Sequence, residues 1–355
     1  MAITLKNFVV ALLSATSSLA LVTLSPQTVT LGDLGLEAPS RRADSDLTGY
    51  LGAFFLGDEP DVYFYLSEGN DAISFSALNG GSPIIKPTLG TGGVRDPGIV
   101  TGGGEEEGKK WYIIGTDLDI SKTTWAASER TGSRGILVWE STNLVNWTNE
   151  RLVIVEDETA GMVWAPEAIW HASEGQYIAY WASKFYDESD TDHTGNATNI
   201  KIRYAYTSDF ETFSAPETFI DYSPTDTIDL TILPYSNDTN TFLRFLKDET
   251  RKDVFVEYTT TGLFGNWTRP GGSDAYIRSH TEGPAAYWDN TVDGEVHLLV
   301  DYYGGDGYLP LVSTDPASNS DWADSNTTNF PTGLRHGSVL PINATLYDAL
   351  SSAWD

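Results

Sequence analysis

Ile136-Leu137-Val138-Trp139-Glu140-Ser141, followed by Val145-Asn146-Trp147, is a β-branched and aromatic run, a serine turn and a returning tryptophan. Such residues suit a half-buried strand, and Ser and Asn suit the turn that ends it. The same order recurs in Tyr63–Ser67 with Ile73-Ser74-Phe75, and in Ile202–Ser208 with Phe213. It recurs again in Val254–Thr259 with Asn266-Trp267, and in Tyr308–Ser313 with Asp321-Trp322. Further strand-like runs precede these units, as in Lys110–Ile114, Gln176–Trp181 and Glu295–Val300. The copies are spaced by roughly 50–75 residues, which suits four-stranded blades with loops of uneven length. Five copies predict an all-β fold, a five-bladed β-propeller, over a β-sandwich or a pair of β domains. No helical periodicity is expected beyond the N-terminal segment.

The first copy lacks an inner strand before it, and the chain ends on Arg335-His336-Gly337-Ser338-Val339-Leu340-Pro341-Ile342. Pairing this N- and C-terminal material in one blade, against Gly49–Phe55, closes the ring and removes an open edge.

Inner strands of propeller blades begin near the central channel, so their first residues meet there. The candidates are Gly93–Val100, Val163–Trp170, Thr227–Leu233, His280–Pro284 and Leu334–Gly337, for blades one to five. Asp96, Asp229 and Glu282 stand at comparable starting positions, with Glu167 a little further along its strand. Glu282 precedes Gly283-Pro284, and the proline fixes the backbone direction there.

The ordered set Asp96-Pro97, Trp164-Ala165-Pro166, Ile228-Asp229, Glu282-Gly283-Pro284 and Arg335-His336-Gly337 resembles glycoside hydrolase family 43 over nearly all of Leu47–Ile342. The resemblance implies a general base at Asp96, a general acid at Glu282, and Asp229 orienting and tuning that acid. It also implies inversion at the anomeric carbon. Leu230 follows Asp229 where the family usually has proline, so Glu167 is the substitute candidate. Inversion needs an ionised carboxylate activating water and a protonated carboxyl opposite it, roughly 6.5–9.5 Å apart. The acid needs a raised pKa, which a nearby anion or burial supplies. In the family the counterpart of His336 often faces a central ion through water. A structural Ca²⁺ in the channel is therefore the metal to consider, held by oxygens, while the chemistry requires no cofactor.

Trp164, Trp125 and Trp181 offer aromatic faces for sugar rings. Arg278 is placed to bind a sugar hydroxyl or brace Glu282, and Arg335 is a further substrate-binding candidate. Gly102-Gly103-Gly104 before Glu105-Glu106-Glu107 is no phosphate loop, since neither Lys-Ser/Thr nor a helix signal follows. It reads as an exposed acidic hairpin tip.

The 355 residues can bury a large core, and 11 Trp, 18 Tyr and 14 Phe supply it. A net charge of −29 argues against nucleic acid and against an anionic membrane surface as partners. The chain has no Cys, which excludes disulfides, thiolate metal sites and a cysteine nucleophile. Lys6, the apolar run Phe8–Leu13 and Ser18-Leu19-Ala20 read as a signal peptide over residues 1–20. Arg41-Arg42 resembles a dibasic processing site, making 21–42 a pro-segment or linker and 43–355 one catalytic domain. Asn146, Asn196, Asn237, Asn266, Asn326 and Asn343 begin Asn-X-Ser/Thr sequons, which agrees with export.

These expectations describe a secreted, monomeric, inverting glycosidase acting on plant cell-wall oligo- or polysaccharide, with a terminal α-L-arabinofuranosyl unit as first choice. That choice of sugar follows the resemblance of Gly49 to Pro97, including Leu78-Asn79-Gly80-Gly81, to arabinofuranosidases of the family. A β-xylosidase, an endo-arabinanase and a non-catalytic carbohydrate-binding propeller are the alternatives.

Overall fold

A computed structural model of the chain describes residues 43–235 and 240–354. The signal-like start, Arg41-Arg42 and the Asn237 sequon lie outside the described residues.

Twenty strands form five four-stranded sheets. Blade five holds β1 (Leu47–Leu56), β2 (Glu59–Ser67) and β3 (Phe75–Ala77). Blade one holds β4 (Val94–Thr101), β5 (Trp111–Asp117), β6 (Gly135–Ser141) and β7 (Thr148–Ile154). Blade two holds β8 (Trp164–His171), β9 (Gln176–Ser183), β10 (Lys201–Thr207) and β11 (Glu217–Ile220). Blade three holds β12 (Thr227–Pro234), β13 (Phe242–Asp248), β14 (Asp253–Thr259) and β15 (Arg278–Ser279). Blade four holds β16 (Glu282–Trp288), β17 (Val296–Tyr302), β18 (Gly307–Ser313) and β19 (Ala323–Asp324). The last strand, β20 (Leu334–Asn343), pairs antiparallel with β1 from Leu47↔Asn343 to Leu56↔Leu334 and completes blade five. Strands β4, β8, β12, β16 and β20 touch one another in that order and close back on β4, so they line the centre. The five-bladed propeller and its closure by the terminal strands are as the sequence predicts.

The repeated unit has a physical basis. It supplies the third strand of each blade, and its Ser or Thr closes that strand by capping the turn. Ser67 Oγ donates to Gly69 O, Asn143 N donates to Ser141 Oγ, and Phe210 N donates to Thr207 Oγ1. The returning tryptophan then pins the turn. The Trp147, Trp267 and Trp322 indoles donate to the carbonyls of Leu144, Leu263 and Ser318 at 3.0, 3.0 and 2.9 Å.

Five apolar clusters fill the five seams between neighbouring blades. Phe64 with Leu137 joins blades five and one, Tyr112 with Tyr177 blades one and two, and Ile202 with Phe255 blades two and three. Phe245 with Leu298 joins blades three and four, and Phe54 with Leu299 blades four and five. Each fully buried large side chain contributes about 1.5–3 kcal/mol, so the seams hold the ring without disulfides.

Two expectations are corrected. Helices do occur: α1 (Trp125–Thr131) follows β5, and α2 (Ala344–Trp354) follows β20, with Leu350 buried in the apolar cluster of blades five and one. Seven and eleven residues are too few for a periodicity to stand out in the sequence. The Gly102–Glu107 turn is only partly an exposed tip. Glu106 accepts from the Tyr112 and Tyr177 hydroxyls at 2.9 and 3.0 Å, and Gly103 lies against the Trp170 ring.

Candidate active site

The inner strands of blades one to four share one irregularity near their starts. Their pairing shifts register between Arg95 and Gly98, Trp164 and Glu167, Ile228 and Thr231, and Glu282 and Ala285. The second residue of each break has a left-handed φ: +52° at Asp96, +47° at Ala165, +55° at Asp229 and +52° at Gly283. A bulge of this kind re-aims a side chain away from the strand's alternation. Positive φ is costly for non-glycine residues and collects where a site needs it, with Asp among the more tolerant. Asp96 and Asp229 thus hold equivalent positions, Glu282 stands one residue earlier, and Glu167 two residues later. Asp96 and Asp229 are thus at comparable starts, as expected, and Glu282 is offset from them by one residue.

Asp96, Asp229 and Glu282 all line one pocket of about 670 Å³. Around them stand Arg95, Thr116, Trp125, Trp164, Lys247, Arg335 and His336. Trp125 is 51% exposed, and its ring meets that of Trp164 edge-on at 6.2 Å. The Arg95 guanidinium lies 4.3 Å from the Phe55 ring centroid and 5.2 Å from that of Trp125.

The environments of the carboxyls differ. Asp96 Oδ2 accepts from Thr116 Oγ1 at 2.7 Å, and its Oδ1 lies 3.4 Å from His336 Nδ1. Burial pushes this carboxyl up, but His336, Arg95 and the Thr116 hydroxyl outweigh burial and hold it below the ordinary range. His336 is the counterpart. Burial pulls its imidazole down, but Asp229, Asp96 and Glu167 raise it to about 9. An Asp96 carboxylate beside a His336 imidazolium follows.

Asp229 is raised by burial, with Glu282 and Asp96 adding to the effect against His336 and Lys247. Its Oδ2 accepts from Gly283 N at 2.9 Å, which ties it to the strand that carries Glu282. Glu282 Oε2 is 2.6 Å from Lys247 Nζ, and its Oε1 is 3.5 Å from an Arg335 nitrogen. Arg335 is fixed in turn by fully buried Asp301, its Nε lying 2.7 Å from Oδ2, while His336 N donates to the same oxygen at 3.1 Å.

Gly283 earns its place beside Glu282 by contact. A Cβ there would lie 2.5 Å from His336 Cγ, so only glycine lets the imidazole pack on this backbone. The Glu-Gly-Pro motif therefore seats the histidine as well as the acid.

Of the other sequence candidates, Trp164 and Arg335 reach the pocket, and Glu167, Arg278 and Trp181 do not. Glu167 lies behind it, accepting from Thr231 Oγ1 at 2.8 Å and Tyr180 OH at 3.2 Å, and burial raises it to about 7. Arg278 sits on the outermost strand of blade three and pairs with Asp324 of blade four. Trp181 is fully buried, its indole donating to Glu156 Oε1 at 3.1 Å. Sequence reading missed Arg95, Thr116, Lys247, Glu249 and Asp301. Only Lys247 leaves a signal, as a cation closing the apolar strand Phe242–Asp248.

A central Ca²⁺ would need six to eight oxygen ligands. Here the His336 ring stands among the carboxyls, 3.9 Å from Asp229 Oδ1 as well as close to Asp96. These two carboxyls offer few of those oxygens directly, so water would supply the rest of a calcium shell.

The chain matches, over residues 45–348, the glycosyl hydrolase 43-related family model, described as "Probable glycosyl hydrolase domain". An alpha-L-arabinofuranosidase of Bifidobacterium longum subsp. longum is 33% identical over 231 residues, or 61% of this chain and 21% of that protein. The chain thus spans about a fifth of that relative's length. Among solved structures, the catalytic domain of the Coprinopsis cinerea GH62 alpha-L-arabinofuranosidase has 14% identity and a TM-score of 0.47, covering 72% of this chain and 77% of that one. The GH93 alpha-L-arabinofuranosidase of Fusarium graminearum, solved with arabinobiose, has 13% identity and a TM-score of 0.47, covering 84% and 87%. The matched region runs through all five blades and every pocket carboxyl, and the chain belongs to the glycosyl hydrolase 43-related family.

Proposed function

We propose that the chain is an exported, inverting glycosidase that releases terminal α-L-arabinofuranosyl units from plant cell-wall polysaccharide. The observation that carries this reading is that carboxyls from different blades, Asp96 and Glu282, face one pocket. Asp96 is held anionic by His336, as a base that activates water must be. Glu282 faces the same pocket from another blade, positioned by Lys247 and Arg335.

In this mechanism Asp96 takes a proton from water as the water oxygen attacks the anomeric carbon. Glu282 gives its proton to the departing glycosidic oxygen, and the carbon inverts. Asp229 orients the Glu282 strand through Gly283 N. Trp125 and Trp164 offer apolar faces to sugar rings, and Arg95 and Arg335 offer hydroxyl partners.

The choice of arabinose rests on the name of the bifidobacterial relative together with the pocket's size. About 670 Å³ suits a terminal sugar and its neighbour more than a long polymer segment. The test is sugar release from nitrophenyl α-L-arabinofuranoside, nitrophenyl β-D-xyloside, arabinan and arabinoxylan, with the anomer followed by proton NMR. Arabinose released first as the inverted anomer is expected. Xylose release alone, or a retained anomer, would overturn the reading.

A further inference from the structure

Beyond the third strand of blade three runs the turn Leu263-Phe264-Gly265-Asn266-Trp267-Thr268, which contains an Asn-X-Thr sequon. Asn266 and Thr268 are exposed. The turn is held from below, since the Trp267 indole donates to Leu263 O and the Arg244 guanidinium lies 4.1 Å from the indole ring. Asn266 stands on a groove of about 330 Å³ between this turn and β11 of blade two, lined by Phe219, Tyr222 and Phe264 with Asp221 and Arg244. Phe264 is 48% exposed and reaches across the seam, its ring centroid 5.0 Å from Tyr204 and 5.4 Å from Phe219.

We propose that Asn266 carries an N-linked oligosaccharide whose first sugar lies in this groove, against the Phe264 ring. The apolar face of a pyranose suits an exposed aromatic ring, while Asp221 and Arg244 offer partners for its polar edge. A covalently anchored sugar would cover both the groove and an aromatic ring that otherwise faces water. In the attachment step, Asn266 Nδ2 bonds to the anomeric carbon of an N-acetylhexosamine borne on a polyprenyl pyrophosphate. The carbon–oxygen bond to that carrier breaks, the pyrophosphate leaves with the electron pair, and the amide proton passes to the transferase. The proposal rests on export and is independent of the glycosidase reading.

The repeat provides an internal control. Asn146-Trp147-Thr148 occupies the corresponding turn of blade one, where Trp147 donates to Leu144 O as Trp267 does to Leu263 O. There the residue two before the asparagine is Leu144, which is fully buried, so no aromatic shelf accompanies that sequon.

The experiment is secretion of the full chain from a yeast host, glycopeptide mass spectrometry, and timed release of each glycan from the native protein by an endoglycosidase. Occupancy at Asn266 is expected, with release about 2–10-fold slower than at Asn146. Phe264→Ala should remove that protection, and Phe264→Tyr should keep it. Activity should be unchanged in both, since the turn is remote from the carboxyl pocket. An unmodified Asn266 in secreted protein would overturn the proposal. So would release as fast as at Asn146, or protection indifferent to Phe264→Ala.

Discussion

The Lys247 ammonium lies 2.6 Å from Glu282 Oε2 and is shared with Glu249, whose Oε2 is 2.5 Å away on the other side. Asp301, Arg335, Glu282, Lys247, Glu249 and Lys252 therefore form a row of alternating charges from the buried wall of the pocket to its rim. The acid of the proposed mechanism sits inside this row, with Asp229 and Arg95 also acting on it from the adjoining strands.

Lys247 should matter to Glu282 by contact. Lys247→Met deletes the ammonium that holds Glu282 Oε2 at 2.6 Å, and a carboxyl misplaced by an ångström costs about 10²-fold in rate. Glu249→Gln leaves that contact in place and should cost much less. Values of kcat for the two variants would show this, and a Lys247→Met enzyme with the parent's kcat would break the link.

Asp96 and Glu282 should separate by leaving group. Losing the base costs rate whatever departs, because water must still be activated. Asp96→Asn is expected to lose about 10²–10⁴-fold on every substrate. Glu282→Gln should lose as much on oligosaccharides but recover much of its rate on a dinitrophenyl glycoside, whose phenolate needs little protonation. Equal losses on both substrates would remove Glu282 from the acid role.

What the sequence shows and hides follows from where each signal is stored. The strand, Ser/Thr turn and tryptophan repeat is local, since each copy caps its own turn, so blade number and ring closure are legible. Asp96, Asp229 and Glu282 lie in short motifs at strand starts and are legible too. The aim of their side chains is not, because it comes from bulges that appear only when strands pair. The cation on Glu282 comes from Lys247, near the far end of another blade's second strand, where the sequence shows a cation but not its partner. Arg278 misleads for a related reason. It is near Glu282 in sequence, but between Ser279 and Glu282 the chain crosses from the outermost strand of blade three to the innermost of blade four.

Gly283→Ala tests whether the Glu-Gly-Pro motif seats His336. The added Cβ would lie 2.5 Å from His336 Cγ at a residue with φ of +52°. Overpacking of this kind costs roughly 1–3 kcal/mol. A displaced imidazole would also loosen Asp96, and misplacement by an ångström costs about 10²-fold in rate. A lowered Tm together with a lowered kcat is expected. Unchanged values for both would show that the glycine is not required there.

The last prediction concerns stability against pH, and its sign follows from three raised groups. Glu167 and Asp229 both titrate at about 7 in the fold against an ordinary 4.5 and 3.8, and His336 at about 9 against 6.5. A group whose pKa is raised by folding binds its proton more tightly in the native state. Its contribution is complete below the unfolded value and is lost as pH climbs through the folded one. Glu167 and Asp229 should therefore withdraw stability between about pH 4 and 7, and His336 between 6.5 and 9. Asp96 acts in the opposite sense, its contribution being lost as pH falls below the ordinary carboxylate range. Calorimetry should show Tm highest in mildly acidic solution and falling in two overlapping stages toward pH 9. Glu167→Gln keeps an oxygen to accept from Thr231 and Tyr180 but cannot ionise. It should shrink the first stage to the part that Asp229 carries and leave the second, and because Glu167 lies behind the pocket the protein should retain activity. A Gln variant whose Tm still falls between pH 4.5 and 7 as the parent's does would mean that another group carries that stage.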